Sequence, residues 1–173
     1  MKVYFAADHA GFDLKASLMK FVADLSTAGV PYEVQDCGAF EFDKGDDYPD
    51  FIGRAAKQLA DDTKNGIESL AVIVGASGQG EAMAANRFSG VHCALYYSEP
   101  SKKQVDMSGQ ELDILASTRR HNGANALSLG ARFLTEEEAK NALRRWLTAE
   151  KTTEDRHLRR VEKLDALPQN VKM

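Results

Sequence analysis

Short apolar runs alternate along the chain with longer stretches whose apolar residues recur every three or four positions. Residues 2–7, KVYFAA, read as a strand. The segment that follows from Gly11 puts Leu14, Leu18, Phe21 and Val22 on one face, the period of an amphipathic helix. Gly29 is a stop signal for that helix, and residues 31–36, PYEVQD, give a second strand. Pro49 suits the first turn of a helix running to about Leu59. Leu70 to Val74 is an unbroken apolar run, expected as a buried third strand, with a short helix opening near Gly78. Residues 91–97 and 125–129 supply strands four and five, and no helix or strand is assigned between them. Thr135 with Glu138 fits a capping box, opening a helix that reaches Trp146. The last predicted helix, about 153–167, is charged, with Leu158, Val161 and Leu164 along one stripe.

Strands separated by helices imply one parallel sheet covered on both faces. The expected fold is α/β: a doubly wound, Rossmann-like three-layer sandwich with a five-stranded parallel sheet. Residues 1–173 are expected as a single domain, and the final helix has two docking places, its own sheet or another subunit. In open parallel sheets ligands bind beyond the carboxyl ends of the strands. That rule selects Asp8 and His9 after strand one, Ser77 to Glu81 after strand three, Glu99 after strand four and Arg132 after strand five.

Composition narrows the partners. The chain is 43% hydrophobic and 28% charged with a net charge of -4. Nothing global therefore attracts nucleic acid or an anionic membrane, and neither is expected as a partner. Cys37 and Cys93 form no disulfide framework, and no His/Cys/Asp cluster has metal-ligand spacing, so no metal is expected. The first residues turn acidic too early for a secretory signal, and no apolar run is long enough to span a bilayer. These features predict a cytoplasmic protein.

Residues 75–82 read GASGQGEA directly after a buried strand. As a phosphate loop the turn lacks its lysine, and Glu81 stands where a cation would be needed. As a dinucleotide fingerprint it has the wrong glycine order and follows the third strand. Two readings remain. One is a nest of amides that stabilises a transient oxyanion beside a proton-moving carboxylate. The other is a tight turn whose first-turn acid is favoured by the helix dipole. Asp8-His9 is equally open, an N-capping acid with a solvated histidine or a pair of reacting groups. His121-Asn122-Gly123 carries turn residues. Arg156 and Arg160 leave one helix face together, as a solvated basic patch or an anion clamp.

Taken in order, Asp8-His9-Ala10-Gly11, Asp47-Tyr48-Pro49-Asp50, Gly75-x-Ser77-Gly78-x-Gly80-Glu81, Ala84-Ala85-Asn86-Arg87, His121-Asn122-x-x-Asn125, Gly130-x-Arg132 and Arg156-His157-x-x-Arg160 resemble the B-type ribose-5-phosphate isomerase family. That family also holds the galactose-6-phosphate isomerase subunits and related sugar-phosphate isomerases. The resemblance runs from Met1 to about Leu167. It implies a cofactor-free aldose–ketose isomerase interconverting ribose 5-phosphate and ribulose 5-phosphate. It also implies a homodimer or dimer of dimers with pockets between subunits, the C-terminal helix packing on the partner. Many members carry a cysteine base at the position of Gly75; another group has glycine there and a glutamate at the position of Glu81, the pattern found here.

The resemblance further implies that Glu81 is the base and that Ser77, with the amides of Ala76, Gly78, Gln79 and Gly80, holds the enediolate. Asp8 and His121 are implied in ring opening, Asn122 and Tyr48 in sugar contact. His9, Arg132, Arg156 and Arg160 would surround the phosphate, with His157 in support. Two features depart from the family pattern, a longer segment at about 101–113 and Ala76 where glycine is usual. They keep another pentose, a tetrose or a hexose phosphate as an alternative substrate, and a noncatalytic sugar-phosphate-binding protein as an alternative function.

Overall fold

Alternation along the first strand decides how the layers form. A computed structural model describes residues 1–27, 32–102, 104–105, 109 and 111–167. In β1 (Lys2–Ala7), Val3, Phe5 and Ala7 enter one hydrophobic cluster, while Tyr4 and Ala6 enter another on the opposite face. β3 (Ser69–Gly75) is buried along its whole length and does the same, with Leu70, Val72 and Val74 on one side and Ala71 and Ile73 on the other. Both faces of these strands are therefore covered, as continuous apolar runs in parallel sheets require.

The remaining elements follow in chain order. They are α1 (Phe12–Thr27), β2 (Glu33–Asp36), α2 (Tyr48–Lys64), α3 (Gln79–Ala85), β4 (Cys93–Tyr96), β5 (Gln104–Val105), β6 (Glu111–Leu112), α4 (Ile114–Asn122), β7 (Ala126–Gly130), α5 (Glu136–Thr148) and α6 (Asp155–Asp165). The sheet order is β2-β1-β3-β7-β4, and every neighbouring pair is parallel. Leu18 and Val22 of α1 and Leu143 and Trp146 of α5 cover one face. Ile52, Ala55, Ala56 and Leu59 of α2 with Ala85 of α3 cover the other. The chain leaves β1 for β2 on one side and reaches β3 on the other. The carboxyl ends of β1 and β3 thus border the crevice where such sheets bind ligands.

The five strands and the capping box on α5 agree with expectation; Thr135 accepts from the Glu138 amide and Glu138 reaches back to Thr135. Gly29 and Pro31 lie outside the described residues. Three expectations are corrected. α2 runs five residues past Leu59, to Lys64. His121 and Asn122 are not in a free turn but end α4, which Asp113 caps by accepting from the Leu115 and Ala116 amides and which Gly123 closes at φ 63°. The last helix buries a stripe rotated from the expected one: His157 is 5% exposed, whereas Leu158 and Leu164 are 39% and 48% exposed. Residues 157 and 161 face α4: the Val161 methyls pack at Gly123, and His157 stacks on His121. α6 therefore docks on its own chain and leaves apolar side chains uncovered.

The long connection between β4 and α4 forms a small antiparallel hairpin of β5 and β6. Arg145 of α5 donates to Asp113 at 2.6 Å and also to Glu99. One guanidinium thus ties both ends of the connection, and Glu99 is committed to that bond. Among the described residues no helix is long and apolar enough to cross a membrane.

Two glycines should respond oppositely to a methyl group. A Cβ on Gly11 would stand 2.4 Å from the Val74 carbonyl oxygen, a backbone atom that cannot swing away. Gly11→Ala is expected to destabilise by about 1–3 kcal/mol. A Cβ on Gly53, inside α2, would meet only the Phe88 ring, at 3.8 Å. Gly53→Ala should stabilise by roughly 0.5–1 kcal/mol. Urea midpoints moving in opposite directions are the expected readout.

Candidate active site

The turn after β3 is shaped by what Gly75 lacks. A Cβ built there would fall 1.8 Å from a Glu81 carboxylate oxygen and 2.0 Å from its carbon. The carboxylate of Glu81 therefore occupies the volume a side chain at residue 75 would claim. Gly78, at φ 73°, turns the chain into α3, and the Ser128 hydroxyl holds the Gly78 carbonyl at 2.8 Å. Gly80 lets the Tyr48 ring approach, since a Cβ there would meet its hydroxyl and ring carbon at 2.8 Å. The Gln79 amide donates to the Ser77 hydroxyl at 3.3 Å. Glu81 is 4% exposed. Burial pushes its carboxyl above the ordinary 4.5; a backbone hydrogen bond opposes this, and the nearby charge of Asp8 adds to the rise.

Asp8, His9 and Arg132 join the same edge. The Ala76 carbonyl accepts from the Arg132 amide at 3.1 Å, fixing that residue beside the glycine turn. Asp8 folds the turn that precedes α1 by accepting from Ala10 at 3.0 Å and Gly11 at 3.3 Å. Asp8 is thus a turn residue and not the N-cap, a position held by Gly11, whose carbonyl accepts from the Lys15 amide, and the charge of Asp8 reaches both Glu81 and His9. His9 meets Asp46 from the loop before α2, with Nδ1 and Oδ1 at 2.6 Å. Asp8, His9 and Asp46 bring ligand-type atoms within 4.8 Å of one another, a grouping that spacing along the sequence does not register. A shared ion is nonetheless poorly suited to this geometry. Metal bonds of about 2 Å at tetrahedral angles hold donor atoms roughly 3.3 Å apart, whereas His9 and Asp46 are in direct hydrogen-bond contact.

His121, Asn122, Arg156 and Arg160 lie elsewhere. α4 runs back toward the amino end of β7, and the Asn125 and Ala126 amides both bond the His92 carbonyl just before β4. His121 and Asn122 thus sit at the amino edge of the sheet, across its breadth from Glu81. Five residues of β7 at about 3.3 Å each put roughly 15 Å between the two edges. At that edge the His121 and His157 rings stack at 4.4 Å and 12°. Neither nitrogen of His157 has a hydrogen-bond partner, and burial lowers its pKa. Arg156 pairs with Glu154 at 2.7 Å, and Arg160 is exposed on the same helix. A cavity of about 240 Å³ is lined by His121, Glu154 and Arg156. A larger one, about 490 Å³, is lined by Asn86, Asn122 and Leu164. Neither of these two touches Glu81.

These positions can be set against known proteins. The profile of the family described as Ribose/Galactose Isomerase matches residues 3–164. The chain belongs to this isomerase family. It is 35% identical over 163 residues to ribose-5-phosphate isomerase B of Mycolicibacterium paratuberculosis, covering 94% of this chain and 88% of that protein. It is 33% identical over 168 residues to the Escherichia coli protein of the same name, covering 97% of each. Among solved structures it resembles ribose-5-phosphate isomerase B from Mycoplasma genitalium with bound ribulose-5-phosphate. There the TM-score is 0.78 and the identity 31%, over 95% of this chain and 94% of that one.

Within the family pattern, some motif residues are architectural in this chain. Asn86 brackets Cys93 of edge strand β4, accepting from its amide at 2.8 Å and donating to its carbonyl at 3.0 Å. Asn125 accepts from the His92 amide at 2.8 Å and donates to the Gly90 carbonyl at 2.7 Å. Asp46 is the residue that sequence reasoning missed. Its only signal was a place one position ahead of the Asp47-Tyr48-Pro49 motif.

Glu81 sets a stability test. Its pKa in the folded chain lies above the ordinary value, so stability is greatest when it is protonated and falls as pH rises through the folded pKa. Glu81→Gln should therefore melt at a higher temperature than the parent at neutral pH. That gap should close as pH falls below about 4.5. Equal melting temperatures across the range would mean that the carboxylate carries no burial penalty.

Proposed function

We propose that the chain is a cofactor-free aldose–ketose isomerase that interconverts ribose 5-phosphate and ribulose 5-phosphate. The observation that carries this reading is the buried carboxylate of Glu81 standing in the side-chain space of Gly75. A protein that only bound a sugar phosphate would have no use for a buried acid at the binding edge. A proton-transfer enzyme does, because burial brings a carboxyl closer to neutral pH, where a general base is most effective. The names of the relatives support the substrate.

In the opened sugar the carbonyl at C1 acidifies the proton on C2. Glu81 takes that proton, leaving an enediolate whose charge is met by the Ser77 hydroxyl and the amides of Ala76, Gly78, Gln79 and Gly80. Glu81 returns the proton to C1, while the hydroxyl proton passes from O2 to O1 and the carbonyl ends at C2. Asp8 and His121 open the ring, His121 giving its proton to the ring oxygen. Tyr48 and Asn122 contact the sugar, and His9, Arg132, Arg156 and Arg160 hold the phosphate, where forked donors bond its oxygens in pairs. No single chain can do all of this, since Glu81 and His121 lie at opposite edges of the sheet. A dimer, alone or paired again, in which the amino edge of one chain faces the carboxyl edge of its partner would assemble two complete pockets. The uncovered Leu158 and Leu164 of α6 support such a packing.

Glu81→Gln should lower kcat by at least about 10²–10⁴-fold with little change in substrate affinity. Near-normal turnover in a coupled assay for ketose formation would move the base elsewhere.

A mixing experiment tests the shared pocket. Arg160→Ala should raise KM about ten- to a hundredfold, the worth of a charged hydrogen bond. Glu81→Gln and Arg160→Ala chains, refolded together, should recover activity at low substrate, because one pocket of each hybrid is intact. Hybrids confirmed by mass that recover none would put base and clamp on one chain.

A further inference from the structure

The loop before α2 turns one carboxylate inward among exposed neighbours. Asp43, Lys44, Gly45 and Asp47 are all exposed, whereas the Asp46 side chain is 7% exposed. Its Oδ1 accepts from the His9 amide at 3.1 Å and meets His9 Nδ1 at 2.6 Å. Its Oδ2 is buried without a hydrogen-bond partner. Desolvating a carboxylate and leaving one oxygen unpaired is costly. A residue in a surface loop escapes that cost by facing water, as the residues on either side do. The arrangement is retained for what Asp46 does to His9.

One oxygen controls that residue twice. The bond to the amide fixes where the side chain of residue 9 begins, and the bond to Nδ1 fixes how its ring is turned. With Nδ1 engaged, only Nε2 is left to meet a ligand. The charged groups around His9 come from three elements: Asp8 at the end of β1, Asp46 before α2 and Arg132 after β7. The hydrogen bond to Asp46 leads in raising the histidine's pKa, Asp8 adds to it, and burial and Arg132 oppose it. The imidazolium is therefore present below the raised pKa and lost as pH rises through it.

We propose that Asp46 is a positioning residue, whose buried carboxylate holds His9 with Nε2 presented as a charged donor to the substrate phosphate beside Arg132. This rests on the isomerase reading of the site and deepens it. His9 and Arg132 become one half of the anion clamp, and Asp46 sets the pH range over which that half is complete. A neutral His9 bonded through Nδ1–H would offer Nε2 as an acceptor, which repels a phosphate oxygen. A packing role alone would need no charge at residue 46.

The test has one arm without substrate and one with it. Histidine Cε1–H resonances are titrated by NMR in the full chain, His9 being assigned from the signal lost in His9→Gln. In Asp46→Asn the His9 transition should move down by about one pH unit or more, and Asp46→Glu should restore most of it. In steady-state assays with ribose 5-phosphate, Asp46→Asn should raise KM about tenfold near neutral pH with a much smaller change in kcat. The rise of KM with pH should begin at lower pH, in step with the NMR shift. An unchanged His9 titration in folded Asp46→Asn overturns the proposal. So does a KM increase that is the same at every pH, or a loss confined to kcat. If Asp46→Asn does not fold, Asp46→Ser takes its place in both arms. Should the parent chain fail to isomerise sugar phosphates, the isomerase reading falls by itself. The titration arm, read with inorganic phosphate as the ligand, still decides whether Asp46 governs His9.

Discussion

Two groups contend for one small volume at the carboxyl end of β3, and the site is organised around the outcome. The Glu81 carboxylate fills the space where a residue 75 side chain would begin, so the strand must end in glycine. That glycine is the last residue of a strand buried along its whole length, and its register against β1 and β7 is set by ladders along both sides. The Gly75 and Ala76 carbonyls then accept from the Ala131 and Arg132 amides, which ties the guanidinium-bearing segment to the same turn. The buried acid and the anchored Arg132 segment both depend on how β3 terminates. Any side chain added at residue 75 alone would collide with the Glu81 carboxylate.

The topology explains why chemistry-bearing residues fall into two groups. Crossover helices run against the strands they connect. Residues at strand ends collect at one edge, and residues at the end of a crossover helix collect at the other. His121 and Asn122 close α4, and α6 stacks on them through His157, so the basic helix is drawn to the same edge. The separation follows from chain direction and is not altered by side-chain rotation.

Much of this was legible in the sequence, unevenly and for physical reasons. β1, β3 and β7 are buried on both faces, so their apolar runs carry an unambiguous signal. α4 was not found because only Leu115 and Arg119 of its residues are buried, which gives a helical period little to register. Its two ends were in fact marked, by Asp113 as cap and Gly123 as stop. The stripe on α6 was misjudged by one position because a histidine, not a leucine, is its most buried residue. Resemblance led to Glu81, but its contest with Gly75 needed coordinates. The pairing of Asp46 with His9 joins residues 37 apart in sequence, and local pattern cannot register such a contact.

The hairpin of β5 and β6 departs from this tightly determined frame. Both feet of the connection that bears it are gripped by Arg145, through Glu99 and Asp113. Once the ends of a loop are pinned together, lengthening what lies between costs only about 0.6 kcal/mol per doubling. The sheet registers where the connection starts and stops and is nearly blind to its length. In this chain that guanidinium marks a splice point, where extra residues can be inserted without renegotiating the core.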